Sequence, residues 1–279
     1  MRGFALAVVL LAAPVFAASK DGYIRTSDGV RIHYIEAGSG PAIVFQPGWT
    51  MPAEIWQPQI DELSRKFRVV AIDPRSQGKS DRATEGHYPE RRAQDIREVI
   101  DRLKLAPATL VGWSLGVVEV LAYVDQFGTS TLRSIVLVDG FIGMEPDIKT
   151  VQRYAGMLKA AQTNRAGWNA KFVRSMYKKP QPEAYLNKIT AASMSVPTNT
   201  AVVLIANPVM NGWDTRHVLA KIDKPVLYAV TPGLKSQGEM LMQRLPSARV
   251  ELFEDAGHAL FVDDAARFNA LLAEFAAPR

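Results

Sequence analysis

A serine between two glycines is the residue of this sequence with the clearest chemical potential. Ser114 lies in Gly112-Trp113-Ser114-Leu115-Gly116, which follows an apolar run ending at Val111 and precedes a segment of helical period. A sharp turn from a strand into a helix is the context in which such a serine acts as a nucleophile. Glycines are expected there because side chains would collide with the neighbouring strand and helix. The pattern predicts that Ser114 is a nucleophile.

A serine hydroxyl attacks poorly at neutral pH unless a base takes its proton, and the chain has four histidines. His33 is expected to point outward from an early hairpin. His87 falls in a polar loop, and His217 lies near the end of a helical region. His258 follows a strand-like run and precedes the last helix, so its loop should open at the carboxyl edge of the sheet, beside Ser114. We predict that His258 is the base.

A carboxylate should orient this histidine, and in chain order it should stand between the serine and the histidine, at the end of a strand. Asp139 meets both conditions. The next strand runs into Thr231-Pro232-Gly233-Leu234-Lys235-Ser236, which contains no acid, and Glu239 beyond it is expected on a helix. Asp255 is too close in sequence to the histidine to fold back onto its ring. Asp139 is the predicted acid, with Glu239 as the alternative.

Two backbone N–H groups must point at the oxyanion that forms during attack. One is expected from Leu115, the residue after the nucleophile. The other is expected from the loop Gln46-Pro47-Gly48-Trp49-Thr50, which follows an early apolar run. Pro47 has no N–H to donate, so the N–H of Trp49 is the best candidate.

The elements that position these residues follow from hydrophobic patterning. Short runs that are apolar throughout indicate strands buried on both faces of a parallel sheet, and segments of helical period lie between them. Two alternating runs separated by Ser27-Asp28-Gly29 indicate an antiparallel hairpin at the start. The strand-like runs are 23–26, 30–35, 42–45, 69–72, 109–111, 134–138, 226–230 and 249–253, and the clearest helical segments are 91–105, 115–127 and 263–276. The sequence predicts an α/β fold with helices on both faces of the sheet.

The region 140–224 interrupts this alternation. It contains helical pieces rich in Met, Tyr and Trp, punctuated by prolines. We interpret it as a helical cap inserted over the carboxyl edge of the sheet, where open α/β sheets bind their ligands. The core is then formed by residues 18–139 and 225–279. The apolar side chains of the cap suit a core as well as a pocket, so none of them is assigned to binding.

The first 17 residues have the pattern of a secretory signal peptide. One basic residue precedes an apolar run, and small residues follow, with cleavage expected after Ala17. The run is too short to cross about 30 Å of hydrocarbon comfortably. We expect a periplasmic or secreted protein with no stable membrane insertion after the signal is removed.

Composition narrows the classes of partner and cofactor. The 279 residues carry a formal net charge of +5, from 33 basic and 28 acidic residues, and the basic residues form no long runs. This distribution does not indicate a nucleic-acid partner. The chain has no cysteine, which excludes disulfides, thiolate metal ligands and cysteine nucleophiles. We expect no metal and no organic cofactor, and the sequence does not indicate the oligomeric state.

Together these motifs resemble the α/β-hydrolase superfamily, over residues 27–275. The segment Asp73-Pro74-Arg75-Ser76-Gln77-Gly78-Lys79-Ser80 resembles the family's D-x-R-G-x-G-x-S pattern, residues 112–116 match its nucleophile elbow, and Ala256-Gly257-His258 matches its histidine loop. The G-W-S-L-G form, with Trp56, looks like bacterial carboxylesterases that act on pimeloyl esters. The general pattern is also similar to cofactor-free haloperoxidases and perhydrolases.

Three departures from the family pattern bear on the site. Pro47-Gly48 replaces the usual His-Gly of the oxyanion loop, and Val117 stands where many relatives have another glycine. The loop after 226–230 lacks the usual acid, and some relatives place it after the preceding strand, at the position of Asp139. Serine at position 114 disfavours the families with an aspartate nucleophile, namely dehalogenases and epoxide hydrolases.

The residues and the resemblance imply acyl transfer by Ser114, His258 and Asp139, acting on carboxylic esters of small hydrophobic substrates. A lactonase, or a perhydrolase or haloperoxidase that uses the same residues, is the alternative within enzymes. A hydrolase fold that serves only as a binding module is the alternative outside them.

Overall fold

The computed structural model describes residues 18–143, 148–210 and 214–278. Within them an eight-stranded sheet has the order β1-β2-β4-β3-β5-β6-β7-β8. The strands are β1 (Lys20–Arg25), β2 (Arg31–Ala37), β3 (Ala42–Gln46), β4 (Arg68–Ile72), β5 (Ala108–Trp113), β6 (Leu132–Val138), β7 (Val226–Val230) and β8 (Arg249–Leu252). Each of the strand-like runs in the sequence is a strand of this sheet.

Ten α-helices accompany the sheet in the described residues. They are α1 (Gln57–Leu63), α2 (Pro89–Arg102), α3 (Leu115–Phe127), α4 (Ile148–Thr163), α5 (Arg165–Ser175), α6 (Glu183–Ser195), α7 (Thr198–Met210), α8 (Lys235–Arg244), α9 (Leu260–Asp263) and α10 (Ala265–Ala276). The last predicted helix is divided, because Asp264, with φ −132° and ψ 56°, leaves the helical conformation between α9 and α10.

Strand pairing confirms the predicted fold class. β1 and β2 form an antiparallel hairpin, β2 also pairs antiparallel with β4, and the remaining neighbours pair in parallel. The carboxyl ends of β3, β5, β6 and β7 therefore meet at one edge of the sheet. β8 pairs in parallel with β7, so its carboxyl end lies at the same edge. The segments that follow β3, β5, β6 and β8 carry the four backbone or side-chain groups predicted to act around Ser114.

Two apolar clusters cover the two faces of the sheet, because successive strand residues point to opposite sides. Ile43 and Phe45 of β3 pack in the cluster with α1 and α10, whereas Val44 packs in the cluster with α2 and α3. In the first cluster the fully buried Trp56 stacks on Phe261, with ring centroids 4.0 Å apart. The sheet is thus a rigid support buried on both faces.

Helices α4 to α7 lie between β6 and β7, within the segment interpreted as a cap. Apolar residues of α7 pack on Trp49, Leu115 and Val118, above the carboxyl edge of the sheet. The boundaries of the cap stay a prediction. Among the described residues no single helix is long and apolar enough to cross a membrane, although α6 and α7 together pass that test with a bend of 85° between them. The predicted signal peptide, residues 1–17, lies outside the described residues.

Candidate active site

Ser114 occupies the turn between β5 and α3, with φ 56° and ψ −116°. A positive φ is uncommon for a residue with a side chain and stores strain. The two glycines allow the turn to pack closely. A Cβ atom at Gly116 would lie 2.5 Å from the carbonyl oxygen of Gln46, and one at Gly112 would overlap the backbone of Gly116. The turn directs a strained serine toward the edge of the sheet, as a nucleophile elbow does.

Asp139 and His258 are brought together from positions 119 residues apart, with Oδ2 of the acid 2.7 Å from Nδ1 of the imidazole. Asp139 follows β6 with φ 40°. Its Oδ1 accepts hydrogen bonds from the N–H and the hydroxyl of Thr231, each at 2.8 Å. Burial and the charge of Asp139 raise the pKa of Tyr228. The Tyr228 hydroxyl donates a hydrogen bond to the carbonyl of Gly140, the residue after Asp139, at 2.6 Å. The carboxylate is therefore fixed to face the histidine.

The loop that carries the histidine is held by groups that the sequence analysis does not identify. The indole N–H of Trp113 donates to the carbonyl of His258 at 2.9 Å. Asp263, which is buried, accepts from the N–H of Gly257 at 2.8 Å and from that of Lys178 at 2.6 Å. Asp263 thereby joins the histidine loop to the segment between α5 and α6. Trp113 lies within the elbow motif, and its presence there is the one local sequence signal that could have indicated its contact with the His258 carbonyl.

The two predicted oxyanion donors lie beside the serine. Leu115 begins α3, so its N–H has no partner within the helix. Among the described residues neither this N–H nor that of Trp49 has an acceptor. The indole of Trp49 is anchored separately, because its Nε1 donates to the Ala201 carbonyl of α7 at 2.6 Å. Both N–H groups are available to an incoming oxygen, and their role as donors stays a prediction.

Buried polar side chains hold the loop that carries Trp49. Gln77 donates to the carbonyls of Gly48 and Met51 at 3.2 and 2.8 Å. Its own oxygen accepts from both terminal nitrogens of Arg92, at 3.2 and 3.1 Å. Arg92 Nε in turn lies 2.7 Å from Oε1 of Glu119, and both side chains are 1% exposed. This chain of contacts fixes the loop from beneath, since buried polar groups that are paired rigidify their surroundings.

A cavity of about 550 Å³ opens above these groups. Ser114, Asp139, His258, Trp49 and Leu115 all line it. The rest of its wall is mostly apolar and comes from α3, from the segments after β6 and β7, and from α4, α5 and α7. These residues are Val118, Gly140, Phe141, Arg153, Tyr154, Met157, Phe172, Ile205, Pro208, Thr231, Gly233 and Leu234. A largely apolar pocket with a few convergent polar groups is typical of small-molecule sites.

The structure places Glu239, the alternative acid, on α8, where it is exposed and lies 3.9 Å from Lys235. Asp255 is 94% exposed and pairs with Lys178. Neither carboxylate lines the cavity. Asp139 is therefore the acid whose geometry fits the predicted role.

The expectation for His33 is wrong, because its imidazole is fully buried instead of pointing outward. Nδ1 lies 2.7 Å from Oδ2 of Asp73, and Nε2 lies 2.8 Å from Oδ1 of Asp21. The reason is tertiary: β2 lies inside the sheet, and the segment after β4 passes over it, with Ser80 Oγ accepting from the His33 N–H at 2.8 Å. His33 does not line the cavity, and its contacts are those of a structural residue.

The other two histidines also lie outside the cavity wall. His87 is buried, with Nε2 2.9 Å from the Ser76 hydroxyl. Burial, together with the charges of Arg92 and Arg75, lowers its pKa to about 4. His217 is exposed, with Nε2 3.3 Å from Asp125. Among the four histidines of the chain, only His258 lines the cavity that Ser114 also lines.

Comparison with known proteins agrees with the fold. Residues 41–265 match the family model described as alpha/beta hydrolase fold. The non-heme chloroperoxidase CPO-A1 of Kitasatospora aureofaciens is 27% identical over 274 residues, which cover 90% of this chain and 97% of that protein.

Two solved structures share the fold. An esterase from Exiguobacterium antarcticum superimposes with a TM-score of 0.83 at 24% identity, covering 91% of this chain and 98% of that one. The enol-lactonase from Burkholderia xenovorans superimposes with a TM-score of 0.75 at 21% identity, covering 91% and 99%. At these identities the likeness concerns the fold alone.

Proposed function

Because the chain belongs to the alpha/beta hydrolase family, we propose that it is a serine esterase that cleaves carboxylic esters of small hydrophobic substrates. The observation that carries the proposal is the contact of 2.7 Å between Asp139 and His258 in the cavity that Ser114 also lines. An acid, an imidazole and a serine on a strained turn are the parts that activate a hydroxyl nucleophile.

The chemistry follows from the position of each group. Ser114 Oγ forms a bond to the ester carbonyl carbon while His258 takes the hydroxyl proton. The oxyanion is bound by the N–H groups of Trp49 and Leu115, and it collapses to an acyl-enzyme as the alcohol leaves with the proton from His258. Water attacks the acyl-enzyme through the same base and releases the acid. Asp139 stabilises the imidazolium in both steps.

A lactonase is the second candidate, since a cyclic ester would use the same groups and a protein of that activity shares the fold. Peracid formation is the third, because a non-heme chloroperoxidase is among the relatives. Assays on γ-lactones, and with acetate and peroxide, separate both from simple ester hydrolysis. A higher kcat/KM on lactones than on linear esters of similar size would replace the first proposal.

The Ser114→Ala variant tests the proposal. We expect hydrolysis of 4-nitrophenyl butyrate to fall by about 10³-fold or more, since the nucleophile acts as a unit with its base. Labelling by a fluorophosphonate probe should disappear as well. The matched control is Ser175→Ala, which removes an exposed hydroxyl on α5 and should retain both signals. Full turnover by the Ser114→Ala variant would reject the proposal.

We also propose that the protein is exported, with cleavage after Ala17. The charged start, the apolar run and the small residues that follow support it. Expression of the full chain and N-terminal sequencing of the periplasmic fraction should show a first residue Ala18. An intact chain recovered in the cytoplasm would contradict export.

A further inference from the structure

Positive charge is concentrated in the helices above the sheet, although it forms no run along the sequence. From Ile148 to Met210 the chain has nine lysines and arginines and a single acid, Glu183. The whole chain has 33 basic and 28 acidic residues, so the remainder carries a small excess of acids. Clustered charge of one sign attracts ligands of the opposite sign and raises their rate of encounter.

Six of these nine cations have no carboxylate side-chain partner in the described residues, and three of the six lie on α4. Of the other three, Arg165 donates to the Thr198 hydroxyl and the Ser193 carbonyl, and Lys179 donates to the Asp263 backbone carbonyl. Arg174, Lys178 and Lys188 pair with carboxylates. By contrast, Lys149, Arg153 and Lys159, all on α4, are exposed and have no carboxylate partner within the part of the chain that the structure describes; Lys171 of α5 is similar. The helix that carries these charges has no acidic residue of its own.

Arg153 brings this charge to the cavity. It lines the cavity together with Tyr154 and Met157 of the same helix, and it is the one lysine or arginine among the described residues of the wall. Its guanidinium carbon lies 5.3 Å from the centroid of the Tyr154 ring, a contact that favours the position over the ring without neutralising the charge. A guanidinium that has no carboxylate partner among the described residues and lies beside an apolar cavity is a site for a carboxylate, which it can bind with two hydrogen bonds.

We propose that the substrates are esters that carry a carboxylate at the end remote from the scissile bond, with Arg153 as the residue that selects them. The proposal rests on the ester hydrolysis proposed above. The charges of α4 attract the anionic ester, the apolar wall binds its carbon chain, and Arg153 binds its carboxylate while the ester carbonyl lies at Ser114.

Two chromogenic esters with the same leaving group test the selection: 4-nitrophenyl hydrogen adipate, which is anionic, and 4-nitrophenyl hexanoate, which is neutral. We expect the native protein to prefer the anionic ester. In the Arg153→Gln variant the ratio of kcat/KM for the anionic over the neutral ester should fall about tenfold, the scale of a lost hydrogen bond to a charged group. An unchanged ratio would overturn the proposal.

A control variant separates Arg153 from the net charge of the protein. Lys66→Gln removes an exposed cation that has no carboxylate partner in the described chain. Lys66 lies in the turn before β4, at the opposite edge of the sheet, so this variant should leave the ratio unchanged.

The salt dependence of kcat/KM is a second test. From about 0.01 M to about 1 M the Debye length falls from about 30 Å to about 3 Å, so kcat/KM should fall for the anionic ester and stay level for the neutral one.

Binding to the Ser114→Ala variant makes the test independent of turnover. By calorimetry, monoethyl adipate should bind more tightly than diethyl adipate, and the difference should vanish when Arg153→Gln is added. This outcome supports the selection even if no ester is hydrolysed, in which case only the proposed function fails. Equal binding of both esters would overturn the proposal. If the protein also attached to phosphatidylglycerol vesicles, the charges of α4 would instead be assigned to a membrane-binding surface.

Discussion

Asp139 directly follows the buried strand β6 and adopts a positive φ of 40°. Its two oxygens have different partners, since one faces His258 and the other accepts two hydrogen bonds from Thr231. The backbone conformation turns the carboxylate out of the sheet toward the histidine. The side chain of the acid is 5% exposed and that of the histidine 32%, so the charge is sheltered while the base stays accessible.

We expect Asp139→Asn to lower kcat by about 10³ to 10⁴-fold, because an amide would hold the imidazole in the wrong tautomer. Glu239→Gln should leave kcat within about twofold, since this acid is exposed on α8 and surface substitutions have small effects. Steady-state hydrolysis of 4-nitrophenyl butyrate measures both. The reverse pattern would assign the acid to Glu239.

The buried His33 predicts a pH dependence of stability. Burial opposes its charge, but the hydrogen bonds and charges of Asp73 and Asp21 outweigh it and raise the pKa of His33. The folded state therefore holds this proton more tightly than the unfolded chain, whose pKa is about 6.5. The stabilisation is complete below that value and is lost as the pH rises through the raised pKa.

Urea unfolding from pH 6 to 9 should show this loss in the native protein and a flatter profile in His33→Gln. His87→Gln is the informative comparison, because the pKa of His87 is lowered to about 4. Its neutral form is buried, so the native protein should lose stability as the pH falls from about 6.5 toward 4, and His87→Gln should flatten that acidic limb. If the free energy of unfolding depended on pH in the same way above pH 7 in the native protein and in His33→Gln, the proposed stabilisation by the proton on His33 would be contradicted.

At the scale of elements, the site depends on how closely α3 approaches the loop after β3. Gly116, in the first turn of α3, leaves no room for a side chain against the carbonyls of Gln46 and Pro47, at 2.5 and 3.0 Å from a Cβ atom. Leu115 begins the helix and Trp49 belongs to the loop, so this contact sets the distance between the two predicted oxyanion donors. The backbone on both sides is buried, and a clash there cannot be relieved by a side-chain rotation.

We predict that Gly116→Ala lowers kcat about 10²-fold with little change in KM, because donors that are displaced act on the transition state more than on the bound substrate. Gly156→Ala on α4 is a matched control, since a Cβ atom there meets no atom within 4 Å. It should retain activity and gain up to about 1 kcal/mol of stability from helix propensity. A normal kcat in Gly116→Ala would show that the two elements tolerate separation.

At the scale of the molecule, one aromatic cluster ties the sheet to the terminal helices. Trp56 stacks on Phe261 at 4.0 Å, and Trp113 contacts Phe261 edge-on at 5.0 Å. Trp113 directly precedes the nucleophile and also holds the histidine loop. The cluster thus connects the stability of the core to the position of the site, although Trp56 itself does not line the cavity.

We expect Trp56→Ala to lower the free energy of unfolding by about 3–5 kcal/mol, the usual cost of truncating a fully buried aromatic side chain. Urea titration followed by circular dichroism measures this change. Tyr88→Ala, which truncates a side chain in a residue that is 46% exposed, should alter the free energy by less than about 1 kcal/mol. Similar losses in both variants would argue against a dominant role for the cluster.

Local features of the sequence determined the strands, most of the helices and the elbow. Periodicity and turn residues act over a few positions, so the parallel sheet, its opening hairpin and the strained Ser114 could be predicted from neighbours alone. Chain order and strand ends also led to Asp139 and His258, because the carboxyl ends of parallel strands share one edge. Their catalytic roles stay predictions for the kinetic experiments to decide.

Only the tertiary structure decided which polar groups meet across long separations in sequence. His33 looks exposed by alternation and is buried because another segment covers its strand. Asp263 holds the histidine loop, and Gln77 with Arg92 holds the oxyanion loop, through contacts that no local pattern encodes. The sequence alone did not connect the charges of α4 with the site, because it is folding that places Arg153 in the wall of the cavity. Spacing along a chain fixes periodicity, whereas burial and pairing depend on what the fold brings alongside.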